Sequence, residues 1–193
     1  MTVWHWVRHG PTHAKTLLGW KDLPADLSDT AQIARLRAHL PDRSLLIASD
    51  LIRASATADA VQGPDHDRLP DTEQLREFDF GDWDGRHFSD VAATDPELSR
   101  AYWEQPGDTA PPGGESWNAA AARINAQVDR INADYPTAEV IAVAHIGVIL
   151  TQVQRARAIT AYDALAQSID NLSCTRIVWT DGVPRLEQVN HCP

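Results

Sequence analysis

Three apolar runs along the chain each stop abruptly at polar groups. Residues 2–7 run into Arg8-His9-Gly10, 45–48 into Ser49-Asp50 and then Arg53, and 140–144 into His145. The runs are short, β-prone and mostly apolar, the pattern of strands buried on both faces. A helical pattern lies downstream of each. Ile33, Leu36 and Leu40 recur at helical spacing, which predicts a helix over about 29–40 with Ser28 as N-cap and Pro41 as the stop. A second helix follows Asp50 and ends near Gly63-Pro64. Arg53 then falls in its first turn, beside backbone N–H groups that favour an anion. Trp117, Ile124, Val128 and Ile131 lie on or near one face of a long helix over 115–135, and 146–158 makes another. Residues 68–75 read as a short strand. A short helix near 162–166 leads to two more strands, 174–180 and 185–190, joined at Asp181-Gly182, a hairpin signal.

The alternation of strand and helix predicts an α/β fold: a three-layer sandwich with a mostly parallel sheet and one antiparallel edge from the final hairpin. The stretch of about 79–114 breaks the alternation. Residues 88–104 are helical with an interruption at Asp95-Pro96, and 105–114 hold three prolines and three glycines, the composition of an extended loop. This stretch reads as a helical cap insertion within a single domain over 1–193. In an open parallel sheet the carboxyl ends of the strands share one edge, where ligands bind. Arg8, His9, Arg53 and His145 can meet there, and two guanidiniums with two imidazoles suit a phosphate.

Composition narrows the partners. The formal net charge of −10 argues against nucleic acid, whose binding needs Lys and Arg to neutralise phosphates. Any anion site must rest on a local cluster of cations. Cys174 and Cys192, the only cysteines, are too few for a disulfide framework and fit no zinc motif. The longest apolar run, 140–150, is broken by His145 and too short to cross a bilayer. The first residues already form a strand rather than a signal peptide. A cytoplasmic protein without a membrane partner is expected, with its oligomeric state open.

The candidate chemistry sits in ordered landmarks. These are Arg8-His9-Gly10 with Thr12; Ser49 to Arg53 and on to Thr57-Ala58; Leu75-Arg76-Glu77 followed by Gly81-Asp82-Trp83-Asp84-Gly85; Gly113-Gly114-Glu115-Ser116; and Ala144-His145. In order and in spread over nearly the whole chain they resemble the histidine phosphatase superfamily, the family of the cofactor-dependent phosphoglycerate mutases and their phosphatase relatives. The resemblance implies a phosphohistidine on His9, a phosphoryl clamp from Arg8 and Arg53, an anion-stabilising His145, and Glu77 as general acid and then base. A neutral imidazole can attack phosphorus through one ring nitrogen while a backbone carbonyl on the other fixes the tautomer. A carboxyl that donates a proton near neutrality needs burial or a nearby negative charge. Composition alone does not single out Glu77 from Asp79, Asp82 and Asp84, which read as a solvated loop. Thr12, Lys15 and Trp20 are candidate phosphate or substrate contacts. Ser49 and Ser116 read as cap or turn residues, and Trp103 and Trp117 as packing.

The implied function is a metal-independent phosphomonoesterase acting on a small phosphorylated metabolite, with no cofactor and inorganic phosphate as product. A phosphoglycerate mutase and a catalytically silent binding domain of the same fold are the alternatives. A mutase needs an enclosed site with extra cations, and 105–114 has no basic cluster. Three departures from the family's usual pattern bear on the substrate. Ile146 stands where a glycine is common after the histidine, Lys15 where an Asn is common, and Pro11 where Glu or Gln is usual.

Overall fold

A computed structural model describes residues 1–193. Six strands form one sheet: β1 (Thr2–Arg8), β2 (Ser44–Ala48), β3 (His66–Arg68), β4 (Glu139–Ala144), β5 (Cys174–Thr180) and β6 (Val183–His191). Their order is β3-β2-β4-β1-β5-β6. The first four are parallel to one another, and β5 and β6 add the antiparallel edge. Seven helices accompany them: α1 (Thr30–His39), α2 (Ile52–Val61), α3 (Phe88–Thr94), α4 (Pro96–Glu104), α5 (Trp117–Asp134), α6 (Ile146–Arg157) and α7 (Ala161–Leu165).

The period of two along the central strands builds the layers. Trp4, Trp6, Val140 and Ala142 pack with residues of α5, α6 and α7, whereas Val7, Leu46, Ile141 and Val143 pack with α1 and α2. A third, smaller cluster stands apart: Trp83, Val91 and Tyr102, with Leu17, Phe80, Leu98 and Trp103 against it. It joins α3 and α4 to the 78–86 loop. Pro96 opens α4 at the interruption between the two helices, where its missing N–H costs no hydrogen bond.

Local signals mostly act where the sequence places them. The Ser116 hydroxyl caps α5 by accepting from Ala119 N–H at 3.1 Å. Asp181 and Gly182 both take positive φ, 50° and 78°, as a two-residue hairpin turn requires. Two expectations are corrected. Asp29, not Ser28, caps α1, accepting from Gln32 N–H at 2.9 Å. Residues 68–75 are not one strand. β3 ends at Arg68, Pro70 has no N–H to give the ladder, and Thr72 caps a 3-10 turn over Glu73–Leu75. The segment still runs beside β2, because Leu69 and Thr72 N–H groups donate to Leu46 and Ala48 carbonyls, each at 2.9 Å.

Candidate active site

β1 and β4 lie side by side with Arg8 opposite Ala144, so the residues that follow them, His9 and His145, are neighbours. His9 N–H donates to Ala144 O at 3.0 Å, and the two imidazole centres are 5.0 Å apart at 61°. β2 flanks β4 on its other side, and past its end the chain enters α2 with Arg53 in the first turn. Gly10 serves a close approach. A Cβ there would lie 2.7 Å from Leu27 Cδ2 and 3.2 Å from Asp26 O. Gly10 N–H donates to Thr57 Oγ1 at 3.0 Å, and the Thr57 hydroxyl donates to Arg53 O at 2.6 Å. This pair of bonds ties the end of β1 to α2.

The hydrogen bonds assign each imidazole a tautomer. His9 Nδ1 lies 2.7 Å from Gly10 O. A carbonyl only accepts, so Nδ1 carries the proton and Nε2 keeps its lone pair. Burial, with Arg53 and Arg8 nearby, pushes the His9 pKa down to about 3 against the pull of that hydrogen bond. The ring is therefore neutral at physiological pH. His145 is the reverse case. Its Nδ1 accepts from Arg53 Nε at 3.2 Å, so Nε2 bears the proton, and that Nε2 is buried without a partner. Burial first, then His9 and Arg53, hold its pKa well below the ordinary value.

Arg8 donates through Nη1 to Ile169 O, while its Nε is a second buried donor with no partner. Orphaned buried donors are costly unless an acceptor arrives. An oxyanion beside His9 is such an acceptor. Arg53 is fully buried. Besides His145, it donates through Nη1 to Lys21 O at 3.0 Å and through Nη2 to Gly19 O at 2.6 Å. Two of its five N–H groups remain.

Glu77 follows the 3-10 turn and is 5% exposed. Its Oε1 accepts from Phe78 N–H at 3.0 Å and its Oε2 from Gly147 N–H at 3.2 Å, in the first turn of α6. Burial raises its pKa despite those two bonds and the nearby Arg53 and Arg8. Asp84 is not a solvated loop acid, because its two oxygens hold Gly19 and Lys21 N–H at 2.9 and 2.7 Å. Asp79 likewise accepts from Gly81 N–H at 2.9 Å.

Arg8, His9 and Glu77 open onto one cavity of about 810 Å³, with Thr12 also on its wall. Arg53 and His145, both fully buried, are not on that wall, although Ile146 and Gly147 are. Lys15 is exposed and is not itself on that wall, although its neighbours Ala14 and Thr16 are. Trp20 is also off the wall. Its Nε1–H donates to Glu77 O at 2.8 Å and the Arg76 guanidinium lies 5.0 Å over its ring. Sequence reasoning missed Asn171, a wall residue whose Nδ2–H donates to His9 O at 2.7 Å. No local signal marks it. It also missed Arg123, which pairs with Glu115 at 2.7 Å and donates to the carbonyls of Gln74, Arg76 and Glu77. A cation beside the apolar face of α5 was the available clue. Trp103 and Trp117 pack as expected, and both also line the cavity.

Residues 5–191 match the family model of the histidine phosphatase superfamily, branch 1. The chain belongs to that superfamily. It is 35% identical over 130 residues to a bifunctional protein of Mycobacterium tuberculosis, covering 67% of this chain and 33% of that protein. The chain thus spans about a third of the length of that relative. It is 31% identical over 165 residues to the adenosylcobalamin/alpha-ribazole phosphatase of Salmonella typhimurium, covering 80% of this chain and 79% of the relative. Among solved structures, a mycobacterial glucosyl-3-phosphoglycerate phosphatase has a TM-score of 0.83 at 26% identity, covering 99% of each chain. That protein has also been solved in complex with VO3 and with inorganic phosphate. No helix is long and apolar enough to cross a membrane.

Proposed function

We infer that the chain is a phosphomonoesterase that works through a covalent phosphohistidine on His9 and needs no metal. The observation that carries this reading is the pairing of tautomers: a neutral His9 with a free Nε2, beside a His145 whose Nε2–H has no partner. In the first step His9 Nε2 bonds to phosphorus and the ester P–O bond breaks. Glu77, whose pKa burial raises, gives its proton to the departing alkoxide. Charge on the equatorial oxygens is met by the Arg8 and His145 donors, with the two remaining N–H groups of Arg53 behind them. In the second step the Glu77 carboxylate takes a proton from water, the hydroxide oxygen bonds to phosphorus, and the Nε2–P bond breaks. His9 returns neutral, and inorganic phosphate leaves.

The phosphatases among its relatives support a small phosphorylated metabolite as substrate. The guanidinium and imidazole donors supply the positive potential that other phosphatases take from a metal ion. The test is hydrolysis of 4-nitrophenyl phosphate by the whole chain with and without EDTA. Turnover that is unchanged by EDTA and falls at least about 10³-fold in His9→Ala is expected. Loss of turnover on chelation, with recovery on adding back a divalent ion, overturns the metal-independent part. Full activity in His9→Ala overturns the rest.

A further inference from the structure

The cavity is chemically two-sided. One end holds Arg8, His9 and Glu77, the groups that the reaction uses. The remainder is mostly apolar: of 21 residues on the wall, 11 are hydrophobic, with Thr12, His13, Thr16 and Asn171 as the polar side chains outside the reacting end. Phe80, Tyr102, Trp103, Trp117, Ile146 and Leu150 make up most of that side. The rings brace one another. Tyr102 and Trp103 meet edge to face at 4.9 Å between centres, Phe80 lies 6.3 Å from Tyr102, and Phe78 meets Trp117 edge to face at 5.4 Å. Mutual packing of this kind fixes aromatic faces in place and lowers the entropy lost when a flat ligand stacks on them.

Charge on the wall sharpens the choice. Arg8 is its only Lys or Arg, and His13 is already bonded to Asp26 at 2.8 Å. A substrate with a second phosphate, or with a carboxylate on its alcohol, would bring a second anion into a space with no free guanidinium or ammonium. Burying that charge unpaired is strongly unfavourable. On the apolar side a sugar would strip water from its hydroxyls against carbon, with Thr12 and Thr16 among the few side chains to meet them in return. Ile146 adds a branched aliphatic side chain beside the reacting end. At about 810 Å³ the cavity is large enough for a drug-sized group in addition to the phosphoryl.

We propose that the site selects phosphomonoesters with a single phosphoryl group on an uncharged alcohol bearing a flat aromatic ring, against sugar phosphates, phosphoglycerates and bisphosphates. This assignment rests on the phosphomonoesterase reading, and the experiment separates the two. Binding is measured by calorimetry on the unmodified chain with two non-hydrolysable probes, 2-naphthylmethylphosphonate and methylphosphonate. Turnover is measured with the matching esters, 2-naphthylmethyl phosphate and methyl phosphate, whose leaving alcohols have similar acidity, and with 3-phosphoglycerate. Burying one ring face predicts a preference for the naphthyl probe of about 50-fold. A preference below tenfold, including no binding of either probe, overturns the assignment, as does 3-phosphoglycerate as the better substrate. Trp103→Ala should reduce the preference by fivefold or more, and an undiminished preference in that variant removes the aromatic wall as its cause. A naphthyl preference without turnover of any ester defeats the phosphomonoesterase reading and leaves the pocket assignment standing. Turnover without the preference does the opposite.

Discussion

Adding one methyl group at residue 147 tests where the general acid must sit. A Cβ on Gly147 falls inside contact distance of Glu77 Oε1 and only 3.0 and 3.1 Å from Phe78 Cδ1 and Cε1. Phe78 is buried against Trp117 and has little room to retreat. The carboxyl must therefore move, by about 1 Å to regain ordinary contact. That shift strains or breaks the bond from Gly147 N–H to Oε2, now 3.2 Å. A misplacement of about 1 Å at a reacting group costs about 100-fold, near the lower end of what general acid catalysis supplies. The cost should depend on the leaving group. An alkyl alkoxide needs its proton, whereas 4-nitrophenolate departs without one. Gly147→Ala is thus expected to lower kcat/KM about 100-fold for an alkyl phosphate and less than about fivefold for 4-nitrophenyl phosphate. Steady-state kinetics on both substrates, with thermal melts to confirm folding, make the measurement. Equal losses on the two substrates, or no loss on either, would refute the reasoning.

Other predictions follow from the same geometry. The raised pKa of Glu77 makes the acid form the active one at the first step, so kcat/KM for an alkyl ester should fall as pH rises through that pKa, and Glu77→Gln should lack this limb in a pH–rate profile. His9 is held down at about 3 while an unfolded imidazole titrates near ~6.5, so its contribution to stability is complete above the unfolded value and is lost as pH falls toward the folded one. The slope is up to about 1.4 kcal/mol per pH unit, with His145 adding in the same direction, and urea melts of His9→Gln between pH 7 and 4 should show a flatter dependence than the parent. Glu77 acts oppositely, stabilising at low pH and losing that contribution as pH rises through its raised value. Arg53→Lys leaves the Gly19 and Lys21 carbonyls and His145 Nδ1 short of donors, and should cost about 2–4 kcal/mol in urea melts and at least 100-fold in kcat. Trp20→Phe removes one bond to Glu77 O and should cost about 1 kcal/mol with KM within about threefold; a large rise in KM would show that Trp20 meets substrate after all.

What the sequence made legible is what local rules control. Mostly apolar runs marked β1 and β4, and the polar residue after each marked the functional edge, because parallel strands deliver their carboxyl ends to one side. Asp181-Gly182 forced the hairpin through its backbone angles. Other features are set by tertiary contacts and left no pattern to read. Pro70 ended the third strand early, yet the chain stayed beside β2 through two isolated bonds. Arg53 reaches carbonyls more than thirty positions away, and Asn171 reaches back to His9 O across 162. The 77–84 acids looked alike in sequence. The family resemblance pointed to Glu77, and folding supplies the physical difference: Glu77 is buried against α6, whereas Asp84 clamps the Gly19–Lys21 backbone.

The central claim is that His9 carries the phosphoryl group. Rapid quenching of the chain during turnover of a phosphomonoester in EDTA, under basic conditions that preserve phosphohistidine, followed by peptide mass spectrometry, tests it most directly. A phosphoryl group on the peptide containing His9, labile to acid, formed and lost at rates matching turnover, is the expected result. Sustained phosphate release with His9 unlabelled at every quench time, or label on a different residue, would contradict it.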